Sequence, residues 1–176
     1  MTSEVGSLNS SEMDTISVPG AGLTIEVAPH RCFACGVLNE HGIQLDLHVD
    51  GDRCWTELAL ADRFQGWDGI AHGGIVCTVL DEVMAWSLAA TDNWGLTARI
   101  AVDFKRPVKI DVPIRAEGWI TSTRRRIVQT AARIVDPQTR DVLATATATY
   151  VAADADRKRE LQARYRFRLT PGGAGS

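Results

Sequence analysis

Apolar residues crowd one stretch of this chain, from Ile75 to Ala90, where only Thr78, Asp81, Glu82 and Ser87 are polar. The run is too long for a strand and apolar nearly all round, which predicts a helix buried within the fold. Either side of it the period falls to two. Ile43 to Val49 alternates apolar and polar, Asp50-Gly51-Asp52 supplies a hairpin turn, and Cys54 to Leu60 reads as the returning strand. Gln65 to Gly69 is rich in turn formers and reads as a loop leading to His72 and the helix, which should end near Asn93 and Gly95.

Four strand candidates follow the helix. Thr97 to Lys105 places Ala98, Ile100, Val102 and Phe104 on one face and Thr97, Arg99, Ala101 and Asp103 on the other. Val112 to Thr123 and Ile127 to Val135 flank a hairpin connection at Arg124-Arg125-Arg126. After a turn at Asp136 to Arg140, the last strand sets Ala144, Ala146 and Ala148 against Thr145, Thr147 and Thr149. An alanine face suits the close approach of a helix. The expected organisation is a disordered segment at 1–22, one domain at 23–153 and a charged tail at 154–176. That tail holds a short surface helix, Arg157 to Tyr165, before a disordered Gly-rich end. Two strands, a buried helix and four strands imply an α+β domain whose single antiparallel sheet curls around the helix.

Composition narrows the function. With 176 residues there is room for one sizeable core. A formal charge of −3 gives no electrostatic case for nucleic-acid binding. Asp81 and Glu82 argue against a membrane span, and the N-terminus lacks the pattern of a signal peptide, so cytoplasmic residence is the expectation. In that compartment four cysteines do not suggest a disulfide framework. His30, Cys32, Cys35 and His41 are the ligand types of a zinc site, but the segment is short for two well-spaced pairs. The expectation is therefore no metal, with Cys32 to Gly36 as a packed turn.

The chemistry concentrates at His72-Gly73-Gly74 and Asp81. Two glycines leave the first backbone N–H groups of the helix open to an anion or a polarised carbonyl oxygen. A carboxylate in an apolar helix is costly without a partner or a task. The eight-residue step from Gly73 to Asp81 covers about 12 Å of helix axis, and His72 and Asp81 face roughly opposite sides. One chain cannot easily aim both groups at one carbonyl, whereas two antiparallel copies of the helix could do so in an isologous dimer.

This order of elements, with His72-Gly73-Gly74, Asp81-Glu82 and Val102-Asp103-Phe104-Lys105-Arg106-Pro107 at their spacing, resembles the hotdog-fold acyl-CoA thioesterases. The group most similar is typified by the phenylacetic-acid-pathway thioesterase, and Cys32-Phe33-Ala34-Cys35-Gly36 also matches a stretch in some members. The resemblance covers roughly Arg31 to Ala152. It implies a homodimer with composite sites, in which dimers can pair into tetramers. The Gly73 N–H would hold the thioester oxyanion, while Asp81 of the other chain acts as general base or as nucleophile. His72 would orient the loop or approach the thioester, unless it is a cap. Thr97 aligns with a hydroxyl that positions water in some relatives. Where several relatives carry asparagine this chain has Gly66, so that either Gln65 beside it substitutes or the polarising role falls to Gly73 alone. Arg124, Arg125 and Arg126, then Lys105 and Arg106, are the basic groups suited to coenzyme A phosphates, with Gly74 at the helix terminus. Trp67, Met84 and Trp86 are candidates for an acyl or aryl pocket. No cofactor is implied, because coenzyme A belongs to the substrate. A hotdog hydratase and a non-catalytic acyl-CoA-binding module are the alternatives.

Overall fold

A computed structural model describes residues 14–18, 23–166 and 168–171. In chain order the elements are β1 (Asp14–Val18), β2 (Leu23–Val27), β3 (His48–Asp50), β4 (Arg53–Ala59), β5 (Gln65–Trp67), β6 (Ile70–Ala71), α1 (Gly73–Ala90), β7 (Gly95–Phe104), β8 (Pro113–Arg124), β9 (Ile127–Val135), β10 (Val142–Ala152), α2 (Ala155–Tyr165) and β11 (Arg168–Pro171). The expected two-plus-four strands form one antiparallel sheet in the order β3-β4-β8-β9-β10-β7, with the buried helix against it. This is the α+β arrangement anticipated from the hydrophobic pattern.

The core lies between α1 and the sheet. Val76, Val79, Leu80, Val83, Met84 and Leu88 are almost wholly buried along α1, each worth roughly 1.5–3 kcal/mol of transfer free energy. The alanine face of β10 is buried as expected, through Ala144, Ala146 and Ala148. Beneath the middle of the helix, β8 presents Gly118, and a Cβ there would sit 2.6 Å from the Val83 carbonyl carbon and 2.7 Å from the Met84 nitrogen. The helix thus rides directly on strand backbone. It is not covered on every side, however. Gly74, Cys77, Thr78, Asp81 and Ala85, at helical spacing, form a partly open stripe.

Local expectations failed where tertiary contacts overrode the pattern. Of the strand read at 43–49, only His48 and Val49 fall in a strand, the short β3. Gln44 has φ 57°, and the Ile43 and Leu45 N–H groups donate to the carbonyls of Phe33 and Ala34. Leu45 and Leu47 still reach the core, so burial was legible but pairing was not. The loop at 65–69 contains β5, which pairs with β6. Asp14–Val18 falls in the segment read as disordered, yet it pairs with β2, and β11 joins the same small sheet from the end of the chain. The alternation Thr15-Ile16-Ser17-Val18 was the missed signal. Residues 1–13, 19–22, 167 and 172–176 lie outside the described residues. The tail helix forms at Ala155–Tyr165, capped by Asp154, whose Oδ1 accepts the Arg157 N–H at 2.8 Å.

Candidate active site

The N-terminus of α1 is capped by His72, whose backbone is extended at φ −61° and ψ 134°. His72 Nδ1 accepts the Gly74 N–H at 2.9 Å, and its carbonyl accepts from Ile75 and Val76 at 2.9 and 3.2 Å. The Gly74 N–H, a candidate for binding coenzyme A, is therefore used within the helix cap. The Gly73 N–H has no acceptor among the described residues, which leaves one amide hydrogen at the positive end of the helix dipole. Gly73 faces Phe104, since a Cβ on it would lie 3.4 Å from Phe104 Cζ. Lys105 and Arg106 line the same cavity of about 390 Å³.

Asp81 sits about two helical turns on, at the opposite end of β7. Tyr150 O–H donates to its Oδ1 at 2.7 Å, with the Asp81 carbonyl oxygen 3.0 Å away. Thr97 O–H is 3.0 Å from Oδ1 and 3.3 Å from Oδ2. No ion pair among the described residues includes Asp81. The carboxyl group is held by two neutral hydroxyls, with no Lys or Arg partner among the described residues. Burial and the adjacent Asp81 charge push the Tyr150 hydroxyl pKa well up, so it stays a donor.

Thr97 reaches Asp81 because the strand is irregular. Strict alternation puts Thr97 on the face opposite Ile100 and Val102. In the structure Ala148 pairs with Ile100 and Thr149 with Arg99, but Tyr150 pairs with Thr97. The extra residue, Ala98, makes a bulge that turns Thr97 onto the face of Tyr150 and Ile100, toward α1. Tyr150 itself escaped the sequence reading. Its signal was present, because it continues the Ala144-Ala146-Ala148 face by one more step of two.

The remaining candidates separate. Gln65 uses both ends of its amide within its own loop, donating to Asp62 Oδ1 at 2.9 Å and accepting from the Gly69 N–H at 3.1 Å. A Cβ on Gly66 would lie 3.2 Å from His72 Cα, so this glycine packs on the helix cap. Arg124, Arg125 and Arg126 are exposed at the β8–β9 turn, where Arg125 has φ 55°. Arg126 Nε donates to the Ala152 carbonyl at 2.8 Å, placing this basic tip at the Tyr150 end of the sheet. Trp67 is 82% exposed and Met84 is wholly buried, which leaves Trp86 as the pocket candidate that lines a cavity.

That cavity, of about 290 Å³, is bounded by Glu82, Ala85, Trp86, Trp94, Leu96 and Tyr165, among others. Glu82 points here because it lies about 100° round the helix from Asp81. Trp86 Nε1 donates to its Oε1 at 2.9 Å. Burial, followed by the charge of the nearby Cys32 sulfur, pushes its carboxyl up to about 7. On the same wall, a hydrogen bond from the Cys35 thiol holds the Cys32 thiol down to about 5. The Cys35 thiol is raised by that bond and by burial.

Residues 68–143 match the thioesterase superfamily. The fold is similar to that of a crystallised thioesterase superfamily protein, at 23% identity and TM-score 0.65, over 69% of this chain and 60% of the other. It is also similar to a Streptococcus mutans protein solved with acetyl CoA, at 17% identity and TM-score 0.59, over 62% and 88% of the two chains. The E. coli PaaI protein from the phenylacetic acid degradation operon shares the fold at 14% identity and TM-score 0.60, over 64% and 81%. No curated protein matches the sequence. The chain thus has the hotdog fold of these thioesterases, and the superfamily match falls on the segment from just before α1 to the start of β10. Among the described residues no helix is long and apolar enough to cross a membrane.

Proposed function

We propose that this protein hydrolyses acyl- or aryl-CoA thioesters to the free acid and CoA. The observation that carries this is Asp81, a carboxylate without a cationic partner among the described residues, oriented by Tyr150 and Thr97 and neighbouring a cavity large enough for a small acyl group. Oδ1 takes the two shorter hydroxyl contacts, so Oδ2 is the freer oxygen for water or for the thioester carbon. As base, Asp81 takes a proton from water while the hydroxide adds to the carbonyl. The oxyanion then collapses and expels the CoA thiolate. As nucleophile, it adds to the carbonyl carbon and expels the CoA thiolate, leaving a mixed anhydride that water cleaves to the free acid and the Asp81 carboxylate. The acyl group would lie beside Trp86 and Ala85, with CoA phosphates reaching the Arg124–Arg126 tip. The protein needs no redox cofactor for this chemistry, and a cytoplasmic location suits its substrate.

The oxyanion donor comes from a second copy in this proposal. β7 is an edge of the large sheet and exposes Leu96 and Phe104. Pairing it antiparallel with its own copy about the Ile100–Ala101 step sets Thr97 opposite Phe104 of the partner subunit. Since Gly73 lies against Phe104 and Asp81 against Thr97, each Asp81 meets the partner subunit's Gly73. Dimers of this kind can pair further into tetramers.

Thiol release across a panel of acyl- and aryl-CoAs tests the activity, and binding without turnover would leave the non-catalytic acyl-CoA module as the reading. Shared sites have their own test. Gly73→Pro removes the N–H at the one helical position that accepts proline readily, behind a residue already extended. Gly73→Pro and Asp81→Asn homodimers should each be nearly inactive. After subunit exchange, half of the dimers carry one intact site, so about one quarter of wild-type activity returns. No recovery after verified exchange would overturn the composite site. Replacing Arg124 and Arg125 by alanine should raise KM for CoA esters about 10-fold with kcat nearly unchanged, measured against a thioester lacking the nucleotide.

A further inference from the structure

The turn from Cys32 to Gly36 is built more tightly than a packing element needs. The Gly36 N–H donates to the Cys32 carbonyl at 3.0 Å. A Cβ on Gly36 would meet the Cys32 nitrogen at 2.4 Å and the His30 carbonyl oxygen at 2.5 Å, so only glycine closes it. The backbone at Cys35 and Ala34 helps to hold the Cys32 thiol below its ordinary range, after the Cys35 side chain. His30 Nδ1 accepts the Cys32 N–H at 3.3 Å, which in the neutral ring makes Nε2 the donor, 4.0 Å from Cys35 Sγ. The Cys32 sulfur is thus set up as a thiolate, with the Cys35 thiol beside it as its hydrogen-bond donor.

The two sulfurs converge on a carboxylate from fifty residues away. Cys32 Sγ, Cys35 Sγ and a Glu82 oxygen all lie within 4.8 Å of one another. Cys32 Sγ is 3.8 Å from Oε1 and 3.9 Å from Oε2. Sulfur at about 2.3 Å and oxygen at about 2.0–2.2 Å from a tetrahedral zinc would stand roughly 3.5 Å apart. Small side-chain rotations close that difference. Glu82 forms no ion pair with Lys or Arg among the described residues, and a largely buried carboxylate calls for a cation or a proton.

We propose that Cys32, Cys35 and Glu82 bind one zinc ion per chain, with the His30 ring supporting the Cys35 sulfur and the fourth position open to the cavity they line. This reverses the expectation of no metal, and it revises the ligand set weighed from the sequence, because His41 is exposed and outside the cluster. The ion would rivet the segment 28–47, which contains no strand, to α1 at the residue beside Asp81. The proposal does not depend on thioester hydrolysis.

Full-length protein, stripped with chelator and kept under a phosphine reductant, is titrated with Co²⁺ and then Zn²⁺. The wild type should bind one Co²⁺ with a thiolate-to-cobalt charge-transfer band and the strong visible bands of a tetrahedral ion, and Zn²⁺ should bleach both. Cys35→Ser and Glu82→Gln should each weaken Zn²⁺ binding by more than about 100-fold, and His30→Ala by about 10–100-fold. A wild-type cobalt complex without the thiolate band overturns the site whatever the variants do. So does zinc affinity unchanged in a folded Cys35→Ser protein, or a wild-type Cys32–Cys35 disulfide that persists under the reductant and takes up no metal.

Discussion

Asp81→Asn should lower kcat for acyl-CoA hydrolysis by about 10³-fold or more while leaving binding and folding close to wild type. Asparagine keeps the shape of the side chain and one carbonyl oxygen, so the Tyr150 and Thr97 hydroxyls, at 2.7 and 3.0 Å from Oδ1, retain an acceptor. What disappears is the second anionic oxygen, and with it the capacity to take a proton from water or to attack the thioester carbon. General-base assistance alone is worth about 10²–10⁴-fold, and the nucleophilic route would be lost entirely. Melting temperature should move by no more than about 2–4 °C, the equivalent of about 1 kcal/mol in a chain of this length. Steady-state thiol release, together with calorimetric binding of a non-hydrolysable acyl-CoA thioether, separates the two effects. Near-normal turnover in the variant would remove Asp81 from the chemistry. Lost turnover with lost binding would assign it to the pocket instead.

Gly118→Ala should destabilise the fold by about 3 kcal/mol, lowering the melting temperature by about 6–12 °C. The added methyl meets the Val83 carbonyl carbon and oxygen at 2.6 Å and the Met84 nitrogen at 2.7 Å. These are backbone atoms in the centre of α1, so no side-chain rotation relieves the contact. Either the helix lifts from β8, opening the packing around Val83 and Met84, or the sheet bends. Both displace the part of α1 that carries Asp81 and Glu82. Gly51→Ala is the control. Gly51 has φ 57° and open space around a new Cβ, so its cost is the left-handed backbone alone, roughly 1 kcal/mol. Equal melting temperatures for the two variants would show that α1 does not depend on the glycine beneath it.

Much of the site was legible in the amino-acid pattern, but unevenly. His72-Gly73-Gly74 before an apolar run located the helix N-terminus. The structure makes His72 the cap and commits the Gly74 N–H to it, leaving Gly73. Asp81 stood out as a carboxylate in apolar surroundings. Tyr150 could have been found from the alternation of β10, whereas Thr97 could not have been placed against Asp81 by counting in twos. The bulge at Ala98 reverses the parity of the strand there. Gln65 looked available beside Gly66 but spends its amide on Asp62 and Gly69. The Cys32 turn was visible, yet its third donor lies on α1.

By itself, then, the sequence determined what periodicity encodes: a buried helix, six strands with their hairpin turns, an alanine face, and a polar helix terminus eight residues before the Asp81-Glu82 pair. Those features depend on neighbours within a few residues. Tertiary structure alone decided which groups meet across the fold. It set Tyr150 and Thr97 on Asp81, Glu82 on Cys32 and Cys35, and Gly118 under α1, because such contacts are fixed by sheet register and helix seating. A single unpaired residue in a strand is enough to change them.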